Sequence, residues 1–430
     1  MERKVRLLLA TGALVLALPG LAFAQETSST VAVPPPAETP PAEREDDDDD
    51  DDDDATPTAD APHGPQVHAT FGGYVEANYT YSLNQPSNGV IALRGFDNQH
   101  NTFTLANVAL MARVAYDQVY ANVVVQWGNT PTTYYLAETS RAAMGGVGPS
   151  DASTWRWLQT AYAGWAIPVE GMTLRLEGGL FLSPVGYEGM EVAQNWNFSR
   201  SDLFYGCPFY HSGIRAELDV TSELVVSAAV WNGWNTLLDN NDEKSFSVAI
   251  DYTGTSLAAH FLYFSGVERN PGYEGGRAWR HMFDAFVRGD VTSWLSLALH
   301  ANAGLEPSTI GLSSWEAVAG YVRVRPIEWM AIALRGDVFR EDAAVDASGA
   351  RQAIFWPTEW VSSGTATISF SPIQQLMFFL EYRHDHAAGP SYFAGAVSTD
   401  LTGQPIFNTD HQDTFTIGVS GNVSGIQVGN

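Results

Sequence analysis

Lysine is nearly absent from this 430-residue chain: Lys4 and Lys244 are the only two, and arginine supplies the remaining basic side chains. Acidic residues outnumber basic ones 49 to 22, for a formal net charge of −27 at pH 7. With no basic patch to neutralise phosphate, nucleic acid is disfavoured as a partner. Cysteine occurs once, at Cys207, so no intrachain disulfide can form. After the first 24 residues no apolar run approaches the roughly 20 residues of a spanning helix, which excludes an α-helical membrane protein. Neither a G-x-S-x-G elbow nor an H-E-x-x-H motif occurs, which removes the common serine-hydrolase and zinc-protease signatures.

The amino terminus has the composition of an export signal. Arg3, Lys4 and Arg6 precede an apolar run broken by Pro19 and Gly20, and Ala22-Phe23-Ala24 offers small residues for cleavage before Gln25. Residues 1–24 are therefore expected to be a signal peptide. From 25 to 67 there is no hydrophobic periodicity. Pro34, Pro35, Pro36, Pro40 and Pro41 lead into an unbroken aspartate run, Asp46–Asp54. Such a segment cannot bury enough apolar surface to offset its ordering entropy and is expected to be a disordered linker. The run lacks the Gly-turned spacing and closing Glu of a calcium loop. The linker carries 14 of the acids against Arg44, so the remaining body is itself acidic.

The body, 68–430, repeats one pattern. Sixteen segments of about ten residues alternate apolar and polar side chains, from Phe71–Ser82 to Thr414–Ser420. Period-two alternation places the two sets on opposite faces of a strand. Phe71, Val75, Ala77, Tyr79 and Tyr81 share one face, with Glu76, Asn78 and Thr80 on the other. Ile332, Leu334 and Val338 oppose Arg335 and Asp337; Phe378, Leu380 and Tyr382 oppose Glu381 and Arg383. Tight turns such as Asp117-Gln118, Thr221-Ser222 and Thr253-Gly254 alternate with long connections at 83–100, 129–154, 183–207, 232–242, 267–277, 305–313, 341–358 and 387–412. Short turns on one side and long loops on the other describe an outer-membrane barrel, and an even strand count returns both termini to the periplasm. The fold expected is all-β: a transmembrane up-and-down antiparallel β-barrel of about sixteen strands. Charged residues cannot face hydrocarbon cheaply, so Glu76, Arg175, Glu177, Arg215, Glu217, Arg335, Asp337, Glu381 and Arg383 are expected to face a wet lumen. Trp127, Trp165, Trp294, Trp329 and Trp360 suit interfacial girdles.

The segments GGYVEANYTYSLNQPSN, LRGFDNQHNTFTLANVAL, GGLFLSPVGYEGMEVAQNWNFSRSDLFYGCPFYHSGIR and WNGWNTLLDNNDEKS resemble the β-barrel porin family with OmpL-like members. The similarity runs from the first strand onward and is densest before residue 265. It implies an outer-membrane porin that passes small hydrophilic solutes or ions without a cofactor, in contact with membrane lipids and lipopolysaccharide, its linker in the periplasm. A homotrimer follows only by analogy with general porins. The chain departs from outer-membrane barrels at its end, Gln427-Val428-Gly429-Asn430, where such barrels commonly carry an aromatic residue; here the nearest is Phe415.

The third long connection, 183–207, occupies the place of an inward-folding pore loop, again by analogy. Its ionisable residues are Glu188, Glu191, Arg200 and Asp202. Facing lumen arginines such as Arg175, Arg215, Arg335 and Arg383, they would set a transverse field and favour cations. The alternative is that these charges pair and pin the loop to the wall. The loop aromatics Trp196, Phe198, Tyr205 and Phe209 offer sugar stacking or plain packing. His384 and His386 share a strand face, but no third ligand sits at a definable spacing, so no metal site is assigned. His211 and Ser212 point to opposite faces, which gives a barrel-surface hydrolase no local support. A structural barrel that tethers the envelope through its acidic linker stands as the other alternative.

Overall fold

The computed structural model describes residues 67–135, 138, 155–270 and 272–428. The signal peptide and all of the linker except Val67, which already belongs to the first strand, lie outside them. Sixteen strands follow in chain order: β1 (Val67–Ser82), β2 (Thr102–Tyr116), β3 (Val119–Trp127), β4 (Leu158–Val169), β5 (Met172–Leu182), β6 (Tyr210–Asp219), β7 (Leu224–Trp231) and β8 (Ser245–Thr253). The second half comprises β9 (Leu257–Val267), β10 (Trp279–Asp290), β11 (Leu295–Ser308), β12 (Gly311–Ile327), β13 (Met330–Asp342), β14 (Trp360–Ile373), β15 (Leu376–Ala387) and β16 (His411–Val428). Each strand pairs antiparallel with its sequence neighbours, and β16 closes on β1 to complete the barrel. Closure leaves no free edge. Among the described residues two short α-helices, α1 (Asn129–Tyr134) and α2 (Asp202–Tyr205), lie in the loops. No helix among the described residues is long and apolar enough to cross a membrane.

The alternation read from the sequence is the inside–outside code of the wall. Along β13, Ile332, Leu334 and Val338 are exposed, whereas Arg335 and Asp337 between them and Glu341 beyond them are buried. The same holds along β8, where Phe246, Val248 and Ile250 lie outward and Ser245, Ser247 and Ala249 are covered. An arginine on the lipid face costs about 2–4 kcal/mol at the bilayer midplane. A one-residue slip of any strand would therefore invert its whole pattern, and this sets the register. The β4–β5 turn shows how tight hairpins are made. Glu170 and Gly171 both have positive φ (46° and 85°), the twist-matched geometry of a two-residue hairpin.

One expected long loop is absent. Residues 305–313 belong almost wholly to β11 and β12, which continue in register through Leu305↔Ser314, Glu306↔Ser313 and Ser308↔Gly311. Only Thr309 and Ile310 connect them, so the alternation of short and long connections breaks here. The reason is tertiary. Inward Glu306 meets Arg269 (2.6 Å) and Arg280 (2.8 Å), so the ladder extends without stranding a charge. The other long connections stand where the alternation placed them, except that 129–154 lies largely outside the described residues.

Candidate pore constriction

The connection between β5 and β6, residues 183–209, folds inward and crosses the lumen. Wall carboxylates on four strands hold its backbone. The Gly186 N–H donates to Asp284 on β10 (3.0 Å), and the Val192 N–H donates to Glu76 on β1 (2.5 Å). The Phe198 and Ser199 N–H groups donate to Glu381 on β15 (2.7 and 2.9 Å), and the Asp202 N–H donates to Asp337 on β13 (2.9 Å). A carboxylate accepting backbone N–H bonds is a charge-assisted contact, about twice as strong as a neutral one. Strands β10 and β1 lie on opposite sides of the sixteen-strand ring, so the loop bridges facing walls.

Guanidinium groups complete the attachment. Arg335, fully buried, donates to Glu188 (3.0 Å), to the Ser199 carbonyl (2.6 Å) and to Thr365 (3.0 Å), and also contacts Asp337 (3.1 Å). Arg383 binds Asp202 (2.7 Å), Asp385 (2.6 Å) and the Arg200 carbonyl. Arg200 itself meets carbonyls: its Nε donates to Gly189 (3.0 Å) and its Nη1 to Phe198 (2.6 Å), closing the loop on itself. Its guanidinium lies 5.3 Å from the Phe96 ring. Glu188 also accepts from the Ser201 N–H (2.9 Å), at the start of α2, where an acceptor satisfies a helix-terminal N–H. Burial, then the neighbouring Asp337 carboxylate, pushes the Asp202 carboxyl up.

Of the four loop residues singled out by sequence, Glu188 and Arg200 are buried and hydrogen-bonded, Asp202 is buried with Oδ1 on Arg383 and Oδ2 without a hydrogen-bond partner among the described residues, and Glu191 stays partly accessible. Burial pushes the Glu191 carboxyl up as well. They do not form one water-facing acidic ring; Glu188 and Asp202 sit against wall arginines. The expected opposition of Arg175 and Arg215 to the loop does not occur. Those arginines pair along the wall, Arg175 with Glu217 (2.9 Å) and Asp219, Arg215 with Glu177 (2.5 Å) and Glu217 (3.1 Å). They sit in β5 and β6, whose register places Arg175 beside Glu217 and Glu177 beside Arg215. Adjacent carboxylates satisfy them before a distant loop can.

The apolar side of the loop packs as a core. Tyr187 and Trp196 meet Tyr321 and Phe286 edge-on or tilted, at 4.8 to 6.3 Å between ring centres, and Phe198 packs on Phe379 at 5.6 Å. Leu203, Cys207 and Phe339 are buried in the same cluster. Burial pushes the Cys207 thiol up, which keeps it unreactive. His211 lies wholly buried, stacked on Trp231, with Nε2 3.0 Å from Ser183 Oγ and Nδ1 2.9 Å from the Gly233 carbonyl. It fixes the entry of the loop.

Several pinning residues escaped the sequence reading. Asp284 is held by His300 and Asn302 (both 2.8 Å), and Arg94 of the first long loop ties Asp97 (2.6 Å) to Asp385 (3.1 Å). Alternation marks Asp284 and Asp385 as inward-facing. Nothing in the sequence names their partners, which lie up to 291 residues away.

Comparison with known proteins agrees with this architecture. An in-vitro folded OmpT of Vibrio cholerae, described as an outer membrane protein in trimer form, superposes with a TM-score of 0.53 at 10% identity, covering 83% of this chain and 99% of its own. An anion-selective porin from Comamonas acidovorans gives 0.50 at 9% identity, covering 83% and 100%. At such identity the likeness concerns the fold. No curated protein sequence matches the chain. The family model described as "Putative beta-barrel porin-2, OmpL-like" matches residues 68–420, and the chain belongs to that family.

Proposed function

We propose that this protein is an outer-membrane diffusion channel for small hydrophilic solutes, narrowed by loop 183–209 and mildly cation-preferring. The observation that carries the reading is the loop itself: a segment bridging opposite walls of a sixteen-strand barrel sets the width of any aqueous path. The charge preference rests on the balance around it. Asp97, Glu76, Glu188, Glu191, Asp202, Asp284, Asp337, Glu381 and Asp385 are nine carboxyl groups against the five guanidinium groups of Arg94, Arg200, Arg288, Arg335 and Arg383, and an excess remains when Asp202 and Glu191, whose carboxyls burial pushes up, are left out. An excess of fixed negative charge raises the local cation concentration even where individual pairs are satisfied. Lipid and lipopolysaccharide surround the outer face in this reading, the acidic linker lies in the periplasm, and three copies associate.

The test is single-channel conductance of the refolded protein in a planar bilayer under a salt gradient. Discrete steps with a cation-biased reversal potential are expected. Anion bias would keep the channel and remove the selectivity assignment. Silence from folded protein would overturn the channel and favour a tethering barrel.

A further inference from the structure

A second cluster of chemistry-bearing side chains sits on the opposite face of the wall, at the long-loop ends of β15 and β16. His384 and His386 both point outward from β15, two residues apart, while Asp385 between them turns inward to Arg383 and Arg94. The barrel register brings a third imidazole beside them: His386 pairs across the strands with His411, and His384 with Asp413. Ring centres of His384 and His386 lie 6.5 Å apart, as do those of His384 and His411. His384 and His411 are about half exposed (48% and 53%), so the protein itself leaves both rings uncovered.

Two carboxylates prepare these rings. His384 Nδ1 lies 2.9 Å from Asp413, and His411 Nδ1 lies 2.8 Å from Asp410. A carboxylate accepts only, so each Nδ1 carries the proton and each Nε2 keeps its lone pair free. That is the tautomer a metal-binding histidine adopts when its other nitrogen donates to a carboxylate. Asp413 is itself held by the Tyr382 hydroxyl (2.6 Å), and the His386 ring packs edge-on against Trp360 at 5.1 Å. With a Zn–N bond of about 2.1 Å and roughly 1.1 Å more to the ring centre, two imidazoles in a tetrahedral site lie about 5.2 Å apart between centres. The observed 6.5 Å spacings must therefore close by about 1.3 Å, which rotation of the exposed rings about their side-chain bonds would supply. Among the described residues no three ligating groups already converge on a point, so the site forms as these exposed rings turn.

We propose that His384, His386 and His411 bind one borderline divalent transition-metal ion of the Zn²⁺ class on the outer rim of the barrel. Asp410 and Asp413 orient the rings, and the remaining coordination positions stay open to water. Three imidazoles select such an ion over Mg²⁺ and Ca²⁺, which take oxygen ligands.

The experiment titrates ZnCl₂ into the untagged, mature protein in detergent, after chelator treatment, by isothermal calorimetry. Cu²⁺ electron paramagnetic resonance then counts bound nitrogens. One ion per chain is expected, undisplaced by a hundredfold excess of Mg²⁺. Spectra should report three nitrogens, falling to two in His411→Ala. Asp413→Asn and Asp410→Asn should each weaken binding by about 10- to 100-fold. Equal Zn²⁺ binding by the triple alanine variant would place the ion elsewhere, for instance on Asp46–Asp54, and overturn the proposal. So would displacement by Mg²⁺, or no stoichiometric binding by protein whose circular dichroism shows the folded barrel.

Discussion

Replacing Arg335 with methionine tests whether the loop is held by buried ion pairs. Among the described residues Arg335 is the one cation in ion-pair contact with both Glu188 in the loop and Asp337 in the wall, and it also binds the Ser199 carbonyl and Thr365. Methionine keeps much of the volume and removes every donor. Two carboxylates are then left in a dry site. Removing one partner of a buried pair costs about 3–5 kcal/mol, because the remaining charge stays uncompensated. At about 1.4 kcal/mol per tenfold, the detached loop gains roughly 10²- to 4 × 10³-fold in population. The strand ladder loses nothing, so circular dichroism and the unfolding temperature of the barrel should change little. Planar-bilayer recordings should show larger conductance and more open-channel noise, and limited proteolysis should cut within 183–209. Adding Glu188→Gln and Asp337→Asn removes the stranded charges and should restore much of the protection. Wild-type conductance and an uncut loop in Arg335→Met would refute the reasoning, since the pairs would then contribute nothing to holding the loop.

Further outcomes follow from packing, burial and charge. A methyl group at Gly206 would lie 2.1 Å from the Phe339 ring, whereas one at Gly336, on the lipid face, meets nothing within 4 Å. Gly206→Ala should cost about 1–3 kcal/mol of loop stability, read as faster hydrogen exchange across 183–209, and Gly336→Ala should change almost nothing. Leu334 is exposed on the outer wall, and Leu334→Arg should lower barrel stability by about 2–4 kcal/mol in reversible denaturant unfolding in lipid. Asp400 accepts from the Thr402 hydroxyl and the Thr402 and Gln404 N–H groups, which hold its carboxyl below the ordinary aspartate range. A lowered folded value means its contribution is complete above the unfolded value and is lost as pH falls through the folded one. Amide protection of Thr402 and Gln404 should therefore persist at neutral pH and fade only on acidification below the ordinary aspartate range, and Asp400→Asn should abolish that dependence.

The wall was legible in the sequence because facing is a property of one strand at a time. Arg335 and Asp337 between Ile332, Leu334 and Val338 can satisfy both lipid and lumen only one way round, whatever the rest of the chain does. The error at 305–313 has the same origin in reverse. A turn of two residues looks like a loop when the residues around it, Glu306-Pro307 and Ser313-Ser314, are polar, and Glu306 is tolerable in a ladder only because Arg269 and Arg280 meet it. Those partners are remote in the chain.

The site was legible only as a list of charges. Glu188 and Asp202 were visible as ionisable residues in a long inward loop, but pairing with Arg335 and Arg383 depends on how far the loop reaches across the lumen. Arg175 and Arg215 were equally good candidates by composition, and the β5–β6 register gave them to Glu217 and Glu177 instead. The outer histidines repeat the point. His384 and His386 share a face by period two alone, while His411 arrives beside them through the pairing of β15 with β16. The sequence by itself determined the strands, their faces and the wet and greasy sides of the wall, since these follow from alternation and the cost of charge in hydrocarbon. Only the tertiary structure decided which charge meets which, because that depends on strand register and loop reach, quantities fixed by closure of the whole barrel.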